Sequence, residues 1–200
     1  LRIVLTLGIT AVFAAAAPAM ASAAEQAPTR EQLKRMLLTP GELAPLTKTT
    51  WTVQPALAGD SPASTTGCTG LDTAVLASNT GLVDSGPFDF LAANGDLIEQ
   101  NIAYDPDSAA HVKQLAAAIT DCPAMTFDGM SVPIKTMPIG TNPDRIAAFR
   151  VYIDGVSRSV VLTASHGDYV VELIASDHNF DEAYYQGLLS AAFAKVDSVR

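Results

Sequence analysis

The chain is poor in cysteine and in positive charge. It carries two cysteines in 200 residues, Cys68 and Cys122, and no Cys-x-x-Cys pair, the close spacing of redox-active thiols. Twelve lysines and arginines stand against 21 aspartates and glutamates, a net charge of −9. Nucleic acid and bare anionic membranes attract a basic stripe, so neither is an expected partner. Aromatic residues make up 6% of the chain, so each deserves a separate look. His-Glu-x-x-His is missing, and both nucleotide-binding glycine fingerprints are missing too. Gly155-Val156-Ser157-Arg158-Ser159 lacks the final glycine of a nucleophile elbow. Past residue 24, no segment approaches the roughly 18 apolar residues that cross a bilayer as a helix.

One apolar run does stand out. Arg2 is the only charge before Glu25, and Ile3 to Ala17 is apolar apart from Thr6 and Thr10. It leads into small residues at Ala19-Met20-Ala21 and Ala21-Ser22-Ala23. This is the pattern of a secretory signal covering residues 1–24, cleaved after Ala21, Ala23 or Ala24. A single domain is then expected over residues 25–200, secreted to the cell exterior or the envelope, with no membrane insertion of the mature chain. Its net charge would be −10, because Arg2 leaves with the signal. Outside the cytoplasm, two thiols are expected to be oxidised.

Within residues 25–200 the start and stop signals define an element order. Thr29-Arg30-Glu31-Gln32 and Thr39-Pro40-Gly41-Glu42 each place a hydroxyl at a helix start and an amide or carboxylate three residues later. A helix over residues 30–38, a second short helical turn and a strand at Trp51–Gln54 follow from this. Residues 57–67 have loop composition, and a short helix opens at Cys68. Phe88, Phe90 and Ala92 alternate before Asn94-Gly95, and Ile98, Ile102 and Tyr104 after it, which predicts a hairpin with a type I′ turn. Asp105-Pro106-Asp107-Ser108 caps a helix with Val112, Leu115, Ala116 and Ile119 on one stripe, stopped by Cys122-Pro123. Turns at Asp128-Gly129, Asp154-Gly155 and His166-Gly167-Asp168 separate strands rich in β-branched and aromatic residues. Pro133 and Pro138 place the strand between them at an edge or a bulge. From Asp181 a final amphipathic helix carries Tyr185, Leu188, Leu189, Ala192, Phe193 and Val196. Tight turns make the strands antiparallel, and βαβ alternation is lacking. The expected class is α+β, a twisted antiparallel sheet with helices packed mainly on one face.

Candidate chemistry is sparse. His111, His166 and His178 are too dispersed for a metal site, and none is expected. Ser165-His166-Gly167-Asp168 holds the residue types of a hydrolase triad, but on one turn they do not line up as nucleophile, base and orienting acid. An acid/base pair would have to be drawn from Asp84, Asp89, Asp96, Glu99, Asp168 and Glu172. Asp105 and Asp107 are explained as helix caps, and Asp128 and Asp154 as turn formers. Gly81, Gly86 and Gly95 have the spacing of loops and turns. Trp51, Tyr104 and Tyr152 fall near strand ends, where an apolar cleft would open. No catalytic residue or cofactor is assigned, and a non-enzymatic protein is expected.

If Cys68 and Cys122 pair, the bond closes a loop of about 55 residues and removes roughly 4 kcal/mol of denatured-state freedom. Leu37-Leu38-Thr39-Pro40-Gly41-Glu42-Leu43 before the Trp51 strand, the Cys68-x-x-Leu71 helix and Ile119-Thr120-Asp121-Cys122-Pro123 together resemble a family. It comprises exported sensor-like domains of actinobacteria, including the extracellular C-terminal domain of PknH-type receptor serine/threonine kinases. The resemblance implies a twisted antiparallel sheet with flanking helices, a disulfide between these two cysteines and a cleft for an extracellular ligand. This chain lacks the kinase domain, and it has two cysteines where the receptor domain is expected to have four. The expectation is a free-standing, sensor-like domain that binds a small extracellular ligand or an envelope component. An envelope hydrolase or transferase and a protein-interaction module are the alternatives.

Overall fold

A computed structural model describes residues 27–54, 67–79, 82–127, 130–140, 142–176 and 181–200. The expected signal sequence, most of the 57–67 loop, the Asp128-Gly129 turn, Gly81 and His178 lie outside the described residues. In chain order the elements are α1 (Arg30–Arg35), α2 (Pro40–Thr47), β1 (Trp51–Gln54), α3 (Thr69–Asn79), β2 (Val83–Asp84), β3 (Phe88–Ala92), β4 (Leu97–Tyr104), α4 (Ser108–Thr120), β5 (Ala124–Phe127), β6 (Met130–Thr136), β7 (Ile146–Ile153), β8 (Val156–His166), β9 (Tyr169–Ser176) and α5 (Glu182–Val199). One 3-10 turn, Pro143–Arg145, precedes β7.

The strands form a nine-stranded sheet in the order β1-β3-β4-β9-β8-β7-β6-β5, with β2 on β4. Every pairing is antiparallel. The class is α+β, as the tight turns require. Alternation sends Ile98, Ile102, Val160, Leu162, Val171 and Leu173 to one face, where they are buried with Leu33 of α1, Leu43 of α2 and Tyr185, Leu188 and Val196 of α5. The expected main helical face is the one covered by α1, α2 and α5. The opposite face is not bare. Ala147 and Phe149 of β7 are buried there against Leu71 of α3 and Val112, Leu115 and Ile119 of α4. The reason is the pleat: β7 and β8 carry apolar side chains in consecutive positions, so both of their faces need cover.

Both N-terminal capping boxes form. Thr39 N donates to Glu42 Oε2 at 2.8 Å and Thr39 Oγ1 accepts from Glu42 N at 3.3 Å. Glu42 also accepts from Lys195 Nζ of α5 at 2.8 Å, so this cap ties α2 to α5. Thr39→Ala is expected to destabilise the fold by about 1 kcal/mol in denaturant unfolding, with Thr39→Ser near wild type.

Other local expectations need correction. The helix expected over residues 30–38 ends at Arg35, and Leu37 and Leu38 are buried beyond it. The Asn94-Gly95 hairpin exists, but only Gly95 has positive φ, at 90°. Gly95 N bonds Ala92 O and Ala92 N bonds Asp96 O, which makes a three-residue loop with glycine at its end rather than a type I′ turn. Asn94 serves it through its side chain, accepting from Asp96 N. Asp154-Gly155 does have both residues at positive φ, 53° and 76°. Asp107 makes no side-chain cap. Asp105 does that work, accepting from Asp107 N at 2.9 Å and holding His111 Nδ1 at 2.6 Å. Residues 130–133 pair with β5 and residues 134–136 with β7, so pairing with β5 ends at Pro133 and the stretch before Pro138 has an edge, as its prolines required.

Cys68 and Cys122 are bonded, with Cα atoms 6.0 Å apart. The bond joins the start of α3 to the end of α4, beside the second core.

Candidate functional site

Three depressions stand out among the described residues. One, of about 360 Å³ between the end of α4 and β6–β7, is mostly apolar, with Thr120 and Thr136 as its polar side chains. The other two carry ionisable side chains, on different sides of the sheet. The larger, about 370 Å³, sits beside α1 and the end of α5, at the β8–β9 turn. Gln32, Arg35, Tyr104, Asp168, Tyr169 and Arg200 line it. Tyr104 and Tyr169 are register partners on β4 and β9, with rings edge to face at 5.7 Å. The Arg200 guanidinium lies 4.7 Å from the Tyr169 ring, and its Nη2 donates to His166 O. An aromatic wall with guanidinium groups beside it suits a small ligand with both an apolar and an acidic part.

The second is a cavity of about 70 Å³ between the sheet and α3 and α4. Val75 of α3, Leu115 of α4, Asn101 of β4, Thr163 of β8 and Glu172 of β9 line it. Glu172 faces Asn101 and Thr163 in register, and Asn101 hydrogen-bonds it. Its carboxyl is pushed up to about 7, first by burial and then by Glu99, while the Asn101 bond opposes the shift. Glu99 is raised as well, by burial and then by Asp89. Asp89 and Glu99 are direct cross-strand partners, and Glu99 is one diagonal step from Glu172. The three carboxylates thus cross β3, β4 and β9 in a row.

The structure brings together half of the six carboxylates that sequence reasoning singled out. Asp84 instead pairs with Arg30 at 2.9 Å. Asp96 closes the hairpin loop, where its carboxylate accepts from Asn94 Nδ2, and Asp168 lines the larger pocket. Among the aromatics, Tyr104 reaches a pocket as expected. Trp51 does not: it is buried, and its Nε1 donates to Thr47 Oγ1 at 2.7 Å. Tyr152 lies under the Lys135 ammonium at 4.8 Å, away from both depressions. Tyr169 and Arg200 were missed, because nothing local in the sequence tells that a turn and a helix end meet.

Ser165 and His166 point to opposite faces. His166 stacks on Phe193 of α5 at 4.4 Å and meets Asp197 at 2.8 Å, whereas Ser165 is buried on the α3–α4 side. A triad on this turn is thereby excluded. Among the described residues no three His, Cys, Asp or Glu side chains converge as a metal site. Among them, too, no helix is long and apolar enough to cross a membrane.

Compared with protein-family models and with curated proteins, the sequence matches none. Among solved structures, the chain is similar to the extracellular domain of PknH from Mycobacterium tuberculosis, with a TM-score of 0.54 and 13% identity over 87% of this chain and 97% of that one. At that identity the likeness is one of fold: this chain folds like that extracellular domain.

Proposed function

We propose that the chain is an exported, non-enzymatic, sensor-like domain that binds a small extracellular ligand or an envelope component. The observation that carries the reading is the 370 Å³ pocket, whose volume lies in the range of small-molecule sites and whose wall combines Tyr104 and Tyr169 with Arg35, Arg200 and Asp168. The fold shared with an extracellular kinase domain and the disulfide support it. So does the acidic surface, which disfavours nucleic acid and anionic lipid.

The test is thermal unfolding of the oxidised domain against envelope glycans, peptides, lipids and metabolites. A ligand that binds only the native state adds about 2.7 kcal/mol at a hundredfold excess over its dissociation constant. The expected result is a saturable rise in melting temperature, with the ligand recovered unchanged and the rise weakened by Arg35→Ala. Arg35 is exposed, so its removal leaves the core intact. A flat screen, or a shift indifferent to Arg35, would overturn the assignment to this pocket.

One observation favours a second reading. Glu172, titrating near neutrality beside Glu99, has the character of a general acid or base, as an envelope hydrolase or transferase would need. Turnover of a stabilising ligand that disappears in Glu172→Gln would replace the binding reading with this one.

A further inference from the structure

The row Asp89–Glu99–Glu172 is an arrangement that a sheet does not adopt for its own stability. Like charges directly opposite each other on a sheet are destabilising, and Asp89 and Glu99 are such a pair. Every lysine and arginine after Arg2 lies among the described residues, and none of them forms an ion pair with any of the three. Asp89 is only 8% exposed, and its Oδ1 has no hydrogen-bond partner. A second, uncharged group repeats the pattern. Ser165 is 4% exposed, its Oγ has no partner, and it stands on the same face, opposite Val170 at the cavity wall. Buried polar atoms in folded proteins are almost always satisfied, so the open Asp89 acceptor at the end of the row calls for a donor from outside.

The donor must be positive, and the described residues do not converge on a metal site here. Strands lie about 4.8 Å apart and Glu172 stands two residues along from the level of the Asp89–Glu99 pair, so the outer carboxylates are about 12 Å from each other across β3, β4 and β9. One compact ion does not span that row. An alkyl ammonium carries three N–H donors and no acceptor, which matches carboxylates with open lone pairs. We propose that this face is a second ligand site, distinct from the aromatic pocket, and that it takes a linear di- or polyamine. One ammonium sits at the cavity with Glu172 and Asn101, and the next lies along Glu99 and Asp89. Val75, Leu115 and Thr163 are the cavity's contributions from α3, α4 and β8, and none is ionisable, so the three carboxylates set the charge there.

Calorimetric titration of the oxidised chain with putrescine and with spermidine, at pH 8 and constant ionic strength, tests this. Saturable binding is expected, tighter for spermidine, and at least tenfold weaker at pH 5, where Glu172 holds its proton. Tetramethylammonium, which has the charge but no N–H, should bind at least tenfold more weakly than putrescine. Glu99→Gln and Glu172→Gln keep the side-chain shape and should each weaken putrescine binding at least tenfold, whereas Asp154→Asn, one charge fewer at a remote turn, should leave it unchanged. Circular dichroism confirms that each variant is folded. Absence of saturable heat, equal binding of tetramethylammonium, or equal losses in Asp154→Asn and Glu99→Gln would each overturn the proposal, the last two by reducing it to general charge attraction.

Discussion

Reducing the Cys68–Cys122 bond is expected to cost about 4 kcal/mol, the chain-entropy value for a closed loop of about 55 residues. For a domain of this size that lowers the melting temperature by on the order of 10 °C. The bond spans 54 positions and joins the start of α3 to the end of α4. Helix α3 packs chiefly on α4, with Leu71 buried in the second core. Without the bond, α3 loses its covalent tether to α4, and the wall of the 70 Å³ cavity that it supplies becomes the first part to open. Reduction should therefore expose α3 amides to hydrogen exchange before those of β8 and β9, which lie between two layers of helices. Melting curves with and without reductant check the magnitude, and coincident curves would remove the bond from the stability of this fold.

The second large effect belongs to Glu172. Its carboxyl titrates at about 7 in the folded chain, against 4.5 for the ordinary glutamate. A folded-state value above the unfolded one means that the native protein binds the proton more tightly. Its contribution is thus fully present below about pH 4.5 and lost as pH rises through 7. Above that, the charge on this partly buried side chain costs up to about 3 kcal/mol relative to a neutral group. Glu172→Gln keeps the side-chain shape, places an amide next to Asn101 and removes the charge. The variant is expected to match wild type near pH 4 and to exceed its stability by up to about 3 kcal/mol at pH 8. Denaturant unfolding across this range measures it, and a difference independent of pH would show that Glu172 does not hold its proton as described. A polyamine bound to the row should lower the Glu172 value and narrow the gap at pH 8.

Part of the molecule was readable without coordinates because the rules behind it are local. The capping boxes at Thr29 and Thr39 need only a hydroxyl and a carboxylate or amide three residues apart. The period-two runs around Asn94-Gly95 were legible for the same reason, and so was the stripe Tyr185-Leu188-Leu189-Ala192-Val196. The turn at Asn94 misled because a two-residue and a three-residue loop share the same residues and differ only in where pairing resumes. Asp107 misled because Asp105, two positions earlier, competes for the same helix start. The carboxylates were visible one by one, but no sequence rule separates Asp89, Glu99 and Glu172 from Asp84 or Asp96.

The sequence by itself determined the α+β class, the antiparallel sense of the hairpins and the helix starts, since each depends on neighbours a few residues apart. Tertiary structure alone decided that β4 lies beside β9, that α3 and α4 cover the second face and that Arg200 reaches Tyr169. Strand order and register between distant segments depend on which apolar faces bury each other. That same pairing turned three scattered acidic residues into one row, because a carboxylate's neighbour across a sheet is set by register and not by distance along the chain.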